Sequence, residues 1–162
     1  MTVAIKSGNI RLIPFLAIVV GGGLLIGATN LPGSWYAELV KPWFTPPNWL
    51  FAPAWTFLYI FIAVAGWRSF QQQPRGLAMG LWYVQLAFNF AWSPVIFTLH
   101  AIALALIIAI TMLIAVIAFI VVQWSRDKIA AALFLPYAAW VCYATLLNFA
   151  IWQLNSGKYP TF

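Results

Sequence analysis

Charge is what this sequence has least of. Of 162 residues, eight are Lys or Arg, two are Asp or Glu and one is His. A soluble domain carries roughly 25% charged residues. Here the share is 6%, against 65% hydrophobic, too little polar surface to face water all round. The other scarcities exclude chemistries. Glu38 and Asp127 are the only carboxylates, and they fall in different loops, so they cannot work as an acid–base pair. His100 is the only histidine and Cys142 the only cysteine. No His/Cys metal cluster, Ser-His-Asp arrangement or intrachain disulfide can be built from them. His100 reads as an interfacial residue and Cys142 as a small buried apolar one. The apolar segments hold no acidic residue, which argues against a proton relay or cation pathway.

What is present is apolar length. No Asp, Glu, Lys or Arg occurs between Arg11 and Glu38, Lys41 and Arg68, Arg75 and Arg126, or Lys128 and Lys158. A membrane-spanning helix needs about 20 apolar residues, so the third gap holds two spans and the others one each. The expected fold is all-α: one membrane domain over 1–162, a five-transmembrane-helix bundle with helices at about 10–28, 49–70, 77–99, 101–124 and 129–155. Lys6 and Arg11 before an apolar run, with Gly27, Ala28 and Thr29 after it, resemble a signal peptide. The run is long for one and is read as an uncleaved first helix. The break between the third and fourth spans is placed at His100, from length and from Pro94 upstream.

The connections at 71–76, around His100 and at 125–128 are short and force antiparallel neighbours. The connection at about 29–48 is long and rich in Pro and Trp, as lids and interfacial aromatic belts are. The formal charge of +6 forms no run or stripe, so it marks span ends, not a nucleic-acid partner. Lys6, Arg11, Arg68, Arg75, Arg126 and Lys128 lie on one side, Lys41 and Lys158 on the other. That asymmetry puts the N-terminus in the cytoplasm.

The faces carry the functional reading. On the third span, Gln85, Asn89, Trp92 and Ser93 share a side at 100° per residue. Buried amides must be hydrogen-bonded, so this side points into the bundle, for an interhelical bond or a ligand. Gly76, Gly80, Ala87 and Ala91 lie nearly opposite and suit a close helix contact, within the monomer or in a dimer. Gly23 and Gly27 offer a rival small-residue surface. The second span aligns Trp55, Tyr59, Ile62 and Gly66. The fifth aligns Trp140, Ala144, Asn148 and Trp152, the last read as an interfacial anchor. Such stripes converging would make an apolar pocket with a few polar handles. The fourth span is nearly all Ile, Leu, Ala and Val and reads as a lipid-facing structural helix.

Three stretches together resemble one family. The first runs from Trp35-Tyr36 through Lys41-Pro42-Trp43-Phe44-Thr45-Pro46-Pro47-Asn48-Trp49 to Pro53-Ala54-Trp55-Thr56 and Leu58-Tyr59. The second is Gln85-Leu86-Ala87-Phe88-Asn89-Phe90-Ala91-Trp92-Ser93-Pro94. The third is Pro136-Tyr137-Ala138-Ala139-Trp140 with Ala144-Thr145-Leu146-Leu147-Asn148-Phe149. In this order they closely resemble the TspO/MBR family, the tryptophan-rich sensory proteins, which includes the mitochondrial translocator protein or peripheral benzodiazepine receptor.

The resemblance implies a bundle capped by the 29–48 loop, often a homodimer through the third helix at Gly76, Gly80, Ala87 and Ala91. It implies binding of a porphyrin-type small molecule, protoporphyrin IX or haem, with no required cofactor and no metal. The ligand-binding set is Trp55, Tyr59, Gln85, Asn89, Trp92, Trp140, Ala144 and Asn148. The cap set is Trp35, Tyr36, Lys41, Pro46, Pro47 and Trp49, with Lys41 placed to meet a propionate. The implied output is porphyrin sensing, transport or removal. Light-dependent porphyrin degradation is an alternative, with Trp55 and Trp140 as its catalytic residues. A membrane scaffold acting through partner contacts is another. Phe149 and Gln153 stand where the family's sterol-recognition pattern needs Tyr and a basic residue, and Leu104 stands where some members have Trp.

Overall fold

The computed structural model describes residues 12–158. Lys6, Arg11 and the expected start of the first helix at 10 lie outside the described residues. Six α-helices follow in order, with no strand among the described residues. Helix α1 covers Leu12–Thr29 and passes through a π-helical stretch at Ala17–Gly21. Helix α2 is short, Ser34–Glu38. Helix α3, Phe51–Gln72, is entered through a 3-10 turn at Asn48–Leu50. Helix α4, Leu77–Ser93, runs on into a second π-helix, Pro94–Thr98. Helices α5, Ile102–Trp124, and α6, Lys128–Asn155, complete the bundle.

Among the described residues, four stretches are long and apolar enough to cross a membrane: Leu12–Thr29, Asn48–Gln72, Ile102–Trp124 and Lys128–Asn155. The third expected span is α4, whose α-helical part has 17 residues. Pro94 lacks the N–H that would bond the Phe90 carbonyl one turn back, and its ring crowds that carbonyl; the chain widens into the π-helix there. The turn to α5 is made at His100, which is exposed and holds a φ of 57°. Histidine enters this left-handed region more readily than most residues.

The 29–48 connection is not wholly irregular, because α2 interrupts it. A larger correction concerns α5. Its outer face, Leu104, Ile107, Ile110, Ile114, Ile117 and Val121, is exposed as a lipid-facing helix requires. Its inner face, including Ala105, Ala109, Met112, Val116, Phe119 and Gln123, is buried against α4 and α6. An apolar residue does not distinguish lipid from protein, so composition alone could not assign the face. Cys142 is also corrected: it is exposed on α6, so any apolar surroundings come from the bilayer.

The core centres on Trp82, Phe119, Phe134 and Tyr137. Phe119 and Phe134 stack at 4.0 Å. Trp82 Nε1 donates to the Ile62 carbonyl at 2.9 Å, and Gly66 leaves room for its indole where a Cβ would collide. Gly23 does the same for Tyr59, so it serves an internal contact, whereas Gly27 has open space beside it.

At the α5–α6 turn, Asp127 caps α6 by accepting from the N–H groups of Ile129 and Ala130 at 3.0 and 3.1 Å. It also accepts from Arg68 Nε at 2.8 Å, Arg68 Nη2 at 3.1 Å and Gln72 Nε2 at 2.8 Å, tying α3 to that turn. Burial pushes this carboxyl up, but the Arg68 guanidinium and the two backbone donors outweigh it and hold the pKa below the usual carboxylate value.

Candidate functional site: an apolar cavity under a clamped cap

At the end of the bundle nearest α2, the helices enclose a cavity of about 550 Å³. That lies within the 300–1,000 Å³ typical of small-molecule sites. No charged side chain among the described residues lines it. Trp55 and Tyr59 of α3 stack at 5.2 Å on one wall. Trp92 and Asn89 of α4 form another, and Trp140, Ala144 and Asn148 of α6 a third. Trp55 and Trp140 meet edge to face at 6.5 Å. The α3, α4 and α6 stripes therefore converge on one space.

The polar handles are held by side-chain bonds. Trp92 Nε1 donates to Asn148 Oδ1 at 3.1 Å, and Asn148 Nδ2 donates to the Ile102 carbonyl at 3.1 Å. Asn89 Nδ2 donates to Tyr137 Oη at 2.9 Å, and Tyr137 Oη donates to Gln85 Oε1 at 2.8 Å. Tyr59 Oη approaches Asn89 Oδ1 at 3.4 Å. Gln85 is fully buried and does not line the cavity. In this structure it makes an interhelical bond, the other role its face allowed. Trp140 Nε1 is buried and has no hydrogen-bond partner among the described residues, which leaves it an unused donor.

The cap is fastened at several points. Asn155 Oδ1 accepts from Val40 N–H at 3.0 Å while its Nδ2 donates to the Val40 carbonyl at 2.9 Å. Tyr143 Oη donates to the Phe44 carbonyl at 2.7 Å. Thr98 Oγ1 donates to Asn30 Oδ1 at 2.6 Å. Trp35 stacks on His100 at 4.1 Å. Tyr36 lines the cavity and packs edge-on against Phe97. Burial, and next the neighbouring Tyr143, raises the Tyr36 pKa, so its hydroxyl stays neutral.

Of the other cap residues, Lys41 donates to the Ala37 and Leu39 carbonyls at 3.1 and 3.2 Å and sits 4.7 Å over the Tyr36 ring. It does not line the cavity, nor do Trp35, Pro46, Pro47 or Trp49. Trp152 is partly buried beneath the cap, packed on the cluster of Leu39, Leu147 and Ile151. Sequence reasoning missed Phe51, Phe97, Tyr143 and the α5 residues Ala109 and Met112, which also line the space. Only Tyr143, one helical turn from Trp140 on the same apolar helix, carried a usable signal.

Along α4, Gly80 and Ala87 are exposed and Gly76 and Ala91 half-buried. A Cβ at Gly80 would meet nothing within 4 Å.

Comparison with known proteins follows the same residues. The family model described as "TspO/MBR family" matches residues 14–153. Protein CrtK of Rhodobacter capsulatus is 38% identical over 138 residues, covering 83% of this chain and 86% of that protein. The tryptophan-rich sensory protein of Cereibacter sphaeroides is 39% identical, covering 85% and 87%. The translocator protein of Homo sapiens is 31% identical over 143 residues, covering 83% and 85%. With its apolar, membrane-length helices and this match over most of its length, the chain is a multi-pass integral membrane protein that belongs to the TspO/MBR family.

Proposed function

We propose that the cavity binds a flat, largely apolar tetrapyrrole, protoporphyrin IX or a haem-related ring, and that the protein acts in porphyrin sensing, transport or removal. The observation that carries this reading is the wall itself: Trp55, Tyr59, Trp92 and Trp140 around one uncharged space, with Trp140 Nε1 unpartnered. Aromatic faces stack on a planar ring, and an indole N–H can reach an acceptor at its edge. A lining without charge suits the macrocycle and leaves propionates at the mouth.

The test is a dark titration of protoporphyrin IX into detergent-purified protein, read by tryptophan quenching. Saturable quenching is expected, weakened roughly 2- to 10-fold in Trp140→Phe, which keeps an aromatic ring but loses the indole N–H and its hydrogen bond. Quenching that never saturates overturns the reading. The edge-to-face Trp55–Trp140 pair favours a second reading, light-dependent porphyrin degradation. Illumination of the complex with dioxygen would then yield a new absorbing product that both Trp55→Phe and Trp140→Phe abolish.

The same proposal takes α4 with its π-helical extension as a fifth crossing. Its 17 α-helical and 5 π-helical residues, at about 1.5 Å each, match a hydrocarbon core of about 30 Å. The excess of Lys and Arg at the end opposite the cap supports an orientation with that end in the cytoplasm, taken here as that of a bacterial inner membrane. Exposed Gly80 and Ala87 support a homodimer through α4.

A further inference from the structure

At the end of the bundle opposite the cap lies a second cavity of different character. It measures about 370 Å³ and is lined by Ser69, Gln72, Gln73, Ala78, Gln123 and Arg126. These residues come from the last turns of α3 and α5, the start of α4 and the flanking turns. Three observations bear on what it holds.

The first is charge. Arg68, Arg75, Arg126 and Lys128 gather at this end, and Asp127, its only carboxylate among the described residues, is already held by Arg68, Gln72 and two backbone donors. The local field is positive and suits an anion. Arg126 is exposed, and Gln73 Oε1 accepts from its Nη1 at 2.9 Å. That bond orients the guanidinium at the rim and uses one of five N–H donors.

The second is an orphaned acceptor. Gln123 is 1% exposed; its Nε2 donates to Ser69 Oγ, but its Oε1 has no hydrogen-bond partner among the described residues. A buried amide oxygen without a donor is costly, so this wall favours a molecule that carries an O–H or N–H.

The third is depth. The cavity sits where membrane-length helices end, and Val121 and Trp124, close to Gln123 in the chain, are exposed. Exposed tryptophan at a span end marks the headgroup level of a bilayer.

We propose that this cavity is a headgroup site for an anionic phospholipid of the glycerol-phosphodiester class. Its phosphate meets Arg126 and a headgroup hydroxyl donates to Gln123 Oε1. A choline headgroup offers neither net charge nor an O–H or N–H donor, so the site discriminates against it.

The test uses the full chain in mixed micelles titrated with phosphatidylglycerol or phosphatidylcholine, with bound lipid counted by native mass spectrometry. Phosphatidylglycerol is expected to bind preferentially. Arg126→Gln weakens it about fivefold, the scale of one basic residue at an anionic surface. Arg126→Lys loses less, Arg75→Gln less than Arg126→Gln, and Gln123→Leu about as much as Arg126→Gln. Arg126 is exposed, so its variants stay folded and keep the test decisive even if Gln123→Leu does not fold. Equal binding of both lipids, or equal effects of Arg75→Gln and Arg126→Gln, overturns the site in favour of diffuse attraction. Competition by soluble glycerophosphoglycerol at the affinity of the lipid overturns it in favour of a free-phosphodiester site.

Discussion

Gly23→Ala adds one methyl to the wall of the apolar cavity. In the structure Gly23 is buried, and a Cβ built there would overlap the Tyr59 ring. Two opposing effects act on stability. Alanine is favoured over glycine in a helix by about 1 kcal/mol, whereas overpacking typically costs about 1–3 kcal/mol. Folding stability should therefore change by no more than about 2 kcal/mol. The effect on binding has no such offset. Tyr59 stacks on Trp55 at 5.2 Å and approaches Asn89 at 3.4 Å, and all three residues line the cavity. If the ring yields toward the cavity, an incoming planar ligand has to displace it again at the same 1–3 kcal/mol, about 5- to 150-fold in Kd.

Gly66→Ala is the matched control, because its Cβ would overlap Trp82, which is buried away from the cavity and bonded to the Ile62 carbonyl. It should lower thermal stability with little change in affinity. The assay is the dark protoporphyrin IX titration paired with thermal unfolding in the same detergent. The reasoning is refuted if Gly23→Ala binds like the parent, or if both variants lose affinity in proportion to their loss of stability.

Three further predictions follow from the fastenings. The depressed pKa of Asp127 means that its contribution is fully present above the unfolded-state carboxyl pKa of about 3.9 and is lost as pH falls through the lower folded value. Thermal stability should therefore drop on acidification below about pH 4, and Asp127→Asn should flatten that part of the profile. At neutral pH, Asp127→Ala should destabilise by about 1–2 kcal/mol, mainly through loss of the α6 cap, seen as a lower unfolding temperature. Asn155→Ala removes both bonds to Val40; the Val40 amide should exchange hydrogen faster and bound ligand should leave faster, whereas unchanged exchange would show that the cap is held elsewhere.

Much of this was legible in the sequence because lipid imposes few alternatives. Gaps between charges located the helices, since a span must satisfy its own backbone groups. His100 and Pro94 marked the turn after α4, and the amides of that helix pointed inward because nothing in hydrocarbon would bond them. Side chains that carry no polarity signal leave the rest illegible. The inner face of α5 reads like its outer face, so the cavity contributions of Ala109 and Met112 were invisible, and Cys142 was assigned to the wrong surroundings for the same reason. Pairings between distant elements were also out of reach. Nothing local to Asn155 says that it bonds Val40, 115 residues away, or that Arg68 and Asp127 would meet.

The placement of the cavity has a physical cause in the packing of α1. Its first half packs on α3, whereas Gly22–Thr29 packs on α4, so the two helices part toward the cap and leave space between them. In lipid there is no hydrophobic force to close such a gap, because tight packing and interhelical hydrogen bonds drive association. Tyr59 occupies part of it, admitted by Gly23. Beside it, Tyr137 is fully buried on α6 and joins Asn89 and Gln85 of α4, with Met112 of α5 at 3.3 Å. That set of bonds joins α4 to α6, with α5 in contact, and fixes the asparagine that faces the space. The polar part of the wall is thus held by side-chain bonds between helices, whereas the Trp55–Tyr59 stack rests mainly on ring contacts, an arrangement in keeping with the planar-ligand site proposed above.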